Sequence, residues 1–128
     1  MNEDFVTFEL AKKLKEKGFK EKVIKYYGKH ENMFDCHPPL DMNDCGYRCS
    51  APTISQVLKW LRKEHHLHFE VVGAAYGYNL IISDTPDKGG TDRYYSHMND
   101  DGPNDGGAWD KYEDCVLYGI EYVLDNLI

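Results

Sequence analysis

Residues 53–82, TISQVLKWLRKEHHLHFEVVGAAYGYNLII, carry the change of hydrophobic period that decides the fold class. Thr53 and Gln56 stand three apart in a capping-box pattern, T-x-x-Q, in which each side chain satisfies a free backbone N–H of the other residue. Ile54, Val57, Leu58 and Leu61 then recur at helical spacing and form one apolar face, with Trp60 at its edge. Pro52 lies just outside and restricts the entry. Core packing is the expected task of Trp60. The pattern then changes. Leu67-His68-Phe69-Glu70-Val71-Val72 and Tyr78-Asn79-Leu80-Ile81-Ile82 are β-branched and aromatic runs, and Gly73 and Gly77 bracket the segment between them. A helix followed by two partner strands is the expectation, with a bulge or a hairpin turn at Gly73–Gly77.

Working outward, Thr7 reads as the N-cap of a first helix that runs to about Lys17 and stops at Gly18. Leu10, Ala11 and Leu14 form its apolar stripe, and Lys12, Lys13, Lys15 and Lys17 fill other positions. Residues 22–28 predict a strand. Residues 30–50, punctuated by Pro38-Pro39 and Gly46, read as a long irregular loop. Arg93-Tyr94-Tyr95-Ser96-His97 is a third strand of the second half. Residues 99–109 read as a flexible acidic loop. Asp110, with Glu113 three residues on, is the expected cap of a last helix lined by Val116, Ile120, Val123 and Leu127, where Gly119 permits close approach to the sheet. The fold class is therefore α+β: a small antiparallel sheet of three to four strands packed against two to three helices, in the order α-β-loop-α-β-β-β-α. The expected core is Leu10, Leu14, Ile54, Val57, Leu58, Leu61, Val71, Leu80, Ile82, Val116, Ile120 and Val123.

The length of 128 residues fits one domain, 1–128, with a core large enough to need no staples. The net charge of −7 is unevenly placed. Residues 1–30 hold eight lysines against five acids, so +3, and residues 31–128 hold seven Lys/Arg against seventeen acids, so −10. Phosphate binding needs a clustered positive face, and only the first thirty residues supply one. Nucleic acid is thus an unfavoured partner; if it binds, the Lys-rich first helix is the expected contact. No apolar run reaches the roughly twenty residues that span a bilayer. The start, Met1-Asn2-Glu3-Asp4, lacks the layout of a signal peptide, so a cytoplasmic location is expected.

Four cysteines stand at 36, 45, 49 and 115. Without an export signal, reduced thiols are the expectation. The alternatives are a stray disulfide or a zinc site from Cys36, His37, Cys45 and Cys49, with His30 nearby. Zinc takes four N/S ligands in a tetrahedron, and Cys45-x3-Cys49 has chelating spacing. Cys36 and His37 are neighbours, which would need a sharp turn to share an ion. His65, His66 and His68 read as a polar helix end that complements the helix dipole. On a strand, His66 and His68 would share a face. The acidic loop fails the calcium pattern, since the third position from Asp101 is Pro103 and the twelfth is Tyr112. No G-x-S-x-G, Walker A, G-x-G-x-x-G or H-E-x-x-H is present, and acidic surroundings disfavour an activated thiol at Cys36 or Cys49. The residues read as non-enzymatic.

Ser50-Ala51-Pro52-Thr53 with Leu58-Lys59-Trp60-Leu61-Arg62 resembles a signature of small proteins from gut Bacteroidales genomes and their prophage or mobile-element regions. Residues 11–19 and the run from Tyr112-Glu113-Asp114 to Gly119–Leu124 are similar to theirs. The cysteine loop departs from that pattern. The resemblance implies a setting and no activity: an accessory or interaction protein of a bacterial mobile element. It would bind a protein partner or itself through an acidic, tyrosine-rich surface. The tail order, helix-β-β-β-helix, is also that of double-stranded RNA-binding domains, but the last helix here is acidic where theirs must be basic.

Overall fold

A computed structural model describes residues 4–44, 46–86, 93–96, 99 and 101–128. Helix α1 (Phe8–Glu16) begins where expected: Thr7 Oγ1 accepts the Leu10 N–H at 3.3 Å. It buries Leu10, Ala11 and Leu14. The chain reverses at Gly18, whose φ of +86° favours a residue without Cβ. Phe19, fully buried, then leads into strand β1 (Val23–Tyr27).

The expected loop at 30–50 is corrected. Met33–Leu40 forms strand β2, a 3₁₀ turn covers Met42–Asp44, and Cys49–Ser50 is a short strand β3. These strands form an antiparallel sheet in the order β2-β1-β3, so β2 is an edge. The edge position explains why two prolines fit within a strand, because one side of an edge strand needs no ladder donors. Only Cys36 of β2 is buried, so this strand lacks the alternation that marks a half-buried strand in sequence.

Helix α2 (Ile54–His65) has the full capping box. The Gln56 N–H donates to Thr53 Oγ1 at 3.2 Å, and the Thr53 N–H donates to Gln56 Oε1 at 3.0 Å. Ile54, Val57, Trp60 and Leu61 are buried, and Leu58 is only partly so. The face is therefore turned by one position toward Trp60, which meets Phe19 edge-on at 5.2 Å between centroids. His66 closes the helix in the left-handed region, at φ 56°. It is a cap and not a strand residue, so the shared face expected for His66 and His68 does not form.

Strands β4 (Leu67–Ala74) and β5 (Gly77–Asp84) pair in unbroken antiparallel register from Leu67↔Asp84 to Ala74↔Gly77. Strand β6 (Arg93–Tyr95) joins at β5, giving a second sheet, β4-β5-β6. His97 lies outside the described residues. The α+β class holds, with three α-helices among the described residues, but the strands described there divide between two three-stranded sheets instead of forming one.

Residues 101–109 are anchored to β5 and the turn before it. Trp109 and Tyr78 exchange both backbone hydrogen bonds, at 2.7 and 2.9 Å, and Asn104 Nδ2 donates to the Tyr76 carbonyl at 2.9 Å. Asp110 is not the cap of the last helix. Its carboxylate accepts from Asn104 Nδ2 at 2.6 Å, and helix α3 (Tyr112–Asn126) starts after Lys111 with no side-chain cap. Helix α3 crosses β4 and β5 closely at Gly119, where a Cβ would lie 2.7 Å from Phe69 Cε2 and 2.9 Å from Leu80 Cδ2.

One continuous cluster of buried side chains joins both sheets and all three helices. Ten of the twelve expected core residues are buried; Leu58 and Val71 sit at its margin. Val6, Phe19, Val23, Trp60, Leu124 and Tyr95 are among its other members.

Candidate functional site

The residues with metal-ligand chemistry are separated by the sheet. Cys36 lies on β2 and Cys49 on β3, with β1 between them. At about 4.8 Å per strand their backbones stand roughly 10 Å apart across the sheet. They are also offset along it, since Tyr27 pairs with Cys49 while Lys25 pairs with Asp35, the neighbour of Cys36. Ligands of one tetrahedral zinc lie about 2.0–2.3 Å from the ion, so the fold does not bring these two thiols to one centre. Cys36 is buried and donates to the Pro38 carbonyl at 3.3 Å, while its neighbour His37 is exposed. Cys45 lies outside the described residues. Among the described residues no group of three or more His, Cys, Asp or Glu converges as a metal site would require. Burial pushes the Cys49 thiol up, against the weaker opposite pull of Lys15 and Lys12. Cys115 is fully buried in α3, and burial pushes its thiol to about 11. Both are poor nucleophiles at neutral pH.

The lysines of α1 are engaged within the chain. Lys13 bridges to α3, with Nζ 3.3 Å from Glu121 and 3.0 Å from Asp125. Its pKa is raised, chiefly by the hydrogen bond to Asp125. Lys12 pairs with Glu9 at 3.3 Å. Lys15 donates to the Gly46 carbonyl and, at 2.8 Å, to that of Arg48. Lys17 donates to a backbone oxygen of Ile128 at 2.8 Å. Lys13 thus fastens α1 to α3, Lys15 to the β2–β3 connection, and Lys17 to Ile128.

Two other surfaces stand out. The first is the solvent side of the β2-β1-β3 sheet. Val23 is buried and Ile24 is exposed, while Tyr26 is half-buried at the margin of the core. Tyr26 pairs with Phe34 on β2, and their rings stack at 5.6 Å and 29°. The Arg48 guanidinium lies 5.5 Å from the Tyr26 ring and 5.9 Å from the Tyr47 ring. Phe34 remains 47% exposed and Tyr47 61%. Gly28 makes room for the Phe34 ring, since a Cβ there would lie 2.7 Å from it. The sequence reading missed this surface because it placed Phe34 and Tyr47 in a loop, where no partner strand aligns them.

The second surface is a groove of about 420 Å³ between the 20–22 connection and α2, lined by Lys20, Glu21, Lys22, Gln56, Lys59, Trp60 and Lys63. Its lips are held by the chain's own contacts. Gln56 Nε2 donates to the Lys22 carbonyl at 3.1 Å, and Asn43 Nδ2 donates to the Phe19 carbonyl at 2.8 Å.

The tyrosines divide between surface and core. Tyr47, Tyr76, Tyr94 and Tyr112 are exposed, whereas Tyr95 is buried against Tyr118 and Tyr122. Its hydroxyl donates to Asp101 at 2.7 Å, and burial with that carboxylate holds it well above its ordinary pKa. Asp101 therefore serves the packing of β6 in part, and the acidic loop is not purely a solvated one. No helix is long and apolar enough to cross a membrane among the described residues. Comparison with family models, with curated protein sequences and with solved structures returns no match to this chain.

Proposed function

We propose that this chain is a non-enzymatic interaction protein that binds a protein partner through the outer face of the β2-β1-β3 sheet. The observation that carries the reading is the stacked Tyr26–Phe34 pair flanked by Tyr47 and Arg48. Aromatic residues and arginine are the side chains that dominate binding energy at protein interfaces. An exposed apolar cluster ringed by polar groups is a usual mark of such a site. The Arg48 contacts and the register of β1 with β2 order these side chains before binding, which lowers the entropy lost on association. The raised pKa values of Cys49 and Cys115 favour the non-enzymatic side of the proposal. The resemblance to small Bacteroidales proteins suggests an accessory role in a prophage or other mobile element as the setting.

The test is affinity capture from the native host with cross-linking, using the unaltered chain and a Phe34→Ser/Tyr47→Ser variant in parallel. Both side chains are exposed, so the variant should keep its melting temperature. A protein recovered by the unaltered chain and lost with the variant is expected. Equal recovery by both, or recovery of nucleic acid in place of protein, would overturn the reading.

A further inference from the structure

We infer that the groove between the 20–22 connection and α2 is a binding site for a compact oligophosphate, with Lys20, Lys22, Lys59 and Lys63 as its anion-binding groups. This site is separate from the aromatic sheet face and does not depend on it.

Two lysines come from each wall. Lys59 and Lys63 are spaced i, i+4 and share one face of α2, about one helical turn apart. Lys20 and Lys22 rise from the opposite lip, on a backbone tied to α2 by Gln56 and by the Phe19–Trp60 contact. All four are exposed, and Glu21 is the one carboxylate among the lining residues. Beyond Trp60 an adjoining hollow adds Lys17, Glu64 and His65, and Lys17 is already engaged with Ile128. Four lysines line one small volume with a single carboxylate, so an anion held there meets positive side chains from both walls. The contrast with the rest of the chain is large, since residues 31–128 sum to −10 although Lys59 and Lys63 lie among them.

Charge density selects the ligand class. A tri- or pyrophosphate group concentrates three to four negative charges in a small volume, as the lining by four lysines requires. An acidic peptide presents carboxylates on one face only at every second residue, about 7 Å apart in extended form. Four of them would span about 20 Å, well beyond the ~6 Å rise between Lys59 and Lys63 on α2. A duplex carries enough charge but extends well beyond it, against an acidic surface. The volume of about 420 Å³ lies within the range of small-ligand sites.

The test is isothermal titration of the full chain at low salt with tripolyphosphate, a nucleoside triphosphate, an octaglutamate peptide and a short RNA duplex. Saturable 1:1 binding of tripolyphosphate is expected, weakened roughly tenfold or more by Lys59→Glu/Lys63→Glu, because hydrogen bonds to charged groups are the strong ones. Lys29→Glu, an exposed lysine at the far end of β1, should leave affinity within about twofold; the principle is that screened surface charges act only at short range. Lys59→Met/Lys63→Met serves as a second variant should charge reversal alter the melting curve. Tighter binding of the nucleoside triphosphate than of tripolyphosphate would assign the phosphates to a nucleotide, and equal affinity would assign them to free oligophosphate. No saturable binding, equal weakening by Lys29→Glu, or preference for the peptide or the duplex would overturn the proposal.

Discussion

Cys115 shows how a single side chain's environment sets its chemistry. It sits on the inner face of α3 beside Val116 and is fully buried, and burial holds its thiol up at about 11. An unfolded thiol titrates near ~8.5. The folded pKa is the higher one, so the neutral thiol's contribution is complete below the unfolded value. It is lost as pH rises through the window up to about 11. Unaltered protein should therefore lose stability faster than Cys115→Ala between pH 8.5 and 10.5, in denaturant melts at matched ionic strength; the window is approximate, set by the reference thiol pKa. The comparison with the alanine variant cancels the contribution of the tyrosines, which both proteins share and whose hydroxyls titrate near ~10 in the unfolded chain. Parallel curves for the two proteins would show that the thiol is open to water. The count of cysteines was legible in the sequence, and so was the helical position of Cys115. The depth of Cys36 and Cys49 was not, because it depends on a strand pairing between residues far apart in the chain.

At the level of elements, local signals decided what could be read. Thr7 and Thr53 are caps whose partners lie three residues away, so α1 and α2 were legible from neighbours alone. The β4–β5 hairpin was legible for the same reason, since its register is set across a two-residue connection. Strand β2 was not. It is an edge, it holds Pro38-Pro39, and its one buried side chain gives no period of two. Asp110 had the spacing of a cap, but its carboxylate is taken by Asn104, and the helix starts later. Helix α2 offers a quantitative check on the face assignment. Leu61 is fully buried, so Leu61→Ala should lower stability by about 2–5 kcal/mol. Leu58 is at the margin, so Leu58→Ala should cost about 1 kcal/mol, in line with the smaller area removed. Equal losses in urea melts would mean that the helix is rotated toward Leu58 and away from Trp60. Both candidate surfaces escaped the sequence reading through the same limit. The groove joins Lys20 and Lys22 to Lys59 and Lys63, and the aromatic face joins Tyr26 to Phe34 across a pairing that loop residues would not form.

For the molecule as a whole, the decisive fact is that two sheets share one interior. Residues 4–6 tie the first half to the second: the Val6 N–H donates to the Pro52 carbonyl at 3.0 Å, and the Ile54 N–H donates to the Asp4 carbonyl at 2.9 Å. Lys13 clamps α1 to α3, though an exposed pair of this kind adds only about 0–1 kcal/mol. The stronger tie is apolar, since the buried cluster runs without a break from Val6 and Val23 to Ile120 and Leu124. Such a core should unfold as a unit. The two tryptophans make this testable, because each reports on a different part. Trp60 packs on Phe19 near the first sheet, and Trp109 packs on Tyr118 beside the second, 5.0 Å between ring centroids. In the single-tryptophan proteins Trp109→Phe and Trp60→Phe, fluorescence should follow the same urea transition as the far-ultraviolet circular dichroism of the same protein. The two variants will differ in midpoint, since each loses packing of its own, but within each variant the probes should coincide. If Trp60 fluorescence changed at a lower urea concentration than the circular dichroism in Trp109→Phe, the β2-β1-β3 sheet would be opening on its own. The edge position of β2 and its mostly exposed side chains mark that sheet as the one to open first, so this variant is the more demanding of the two.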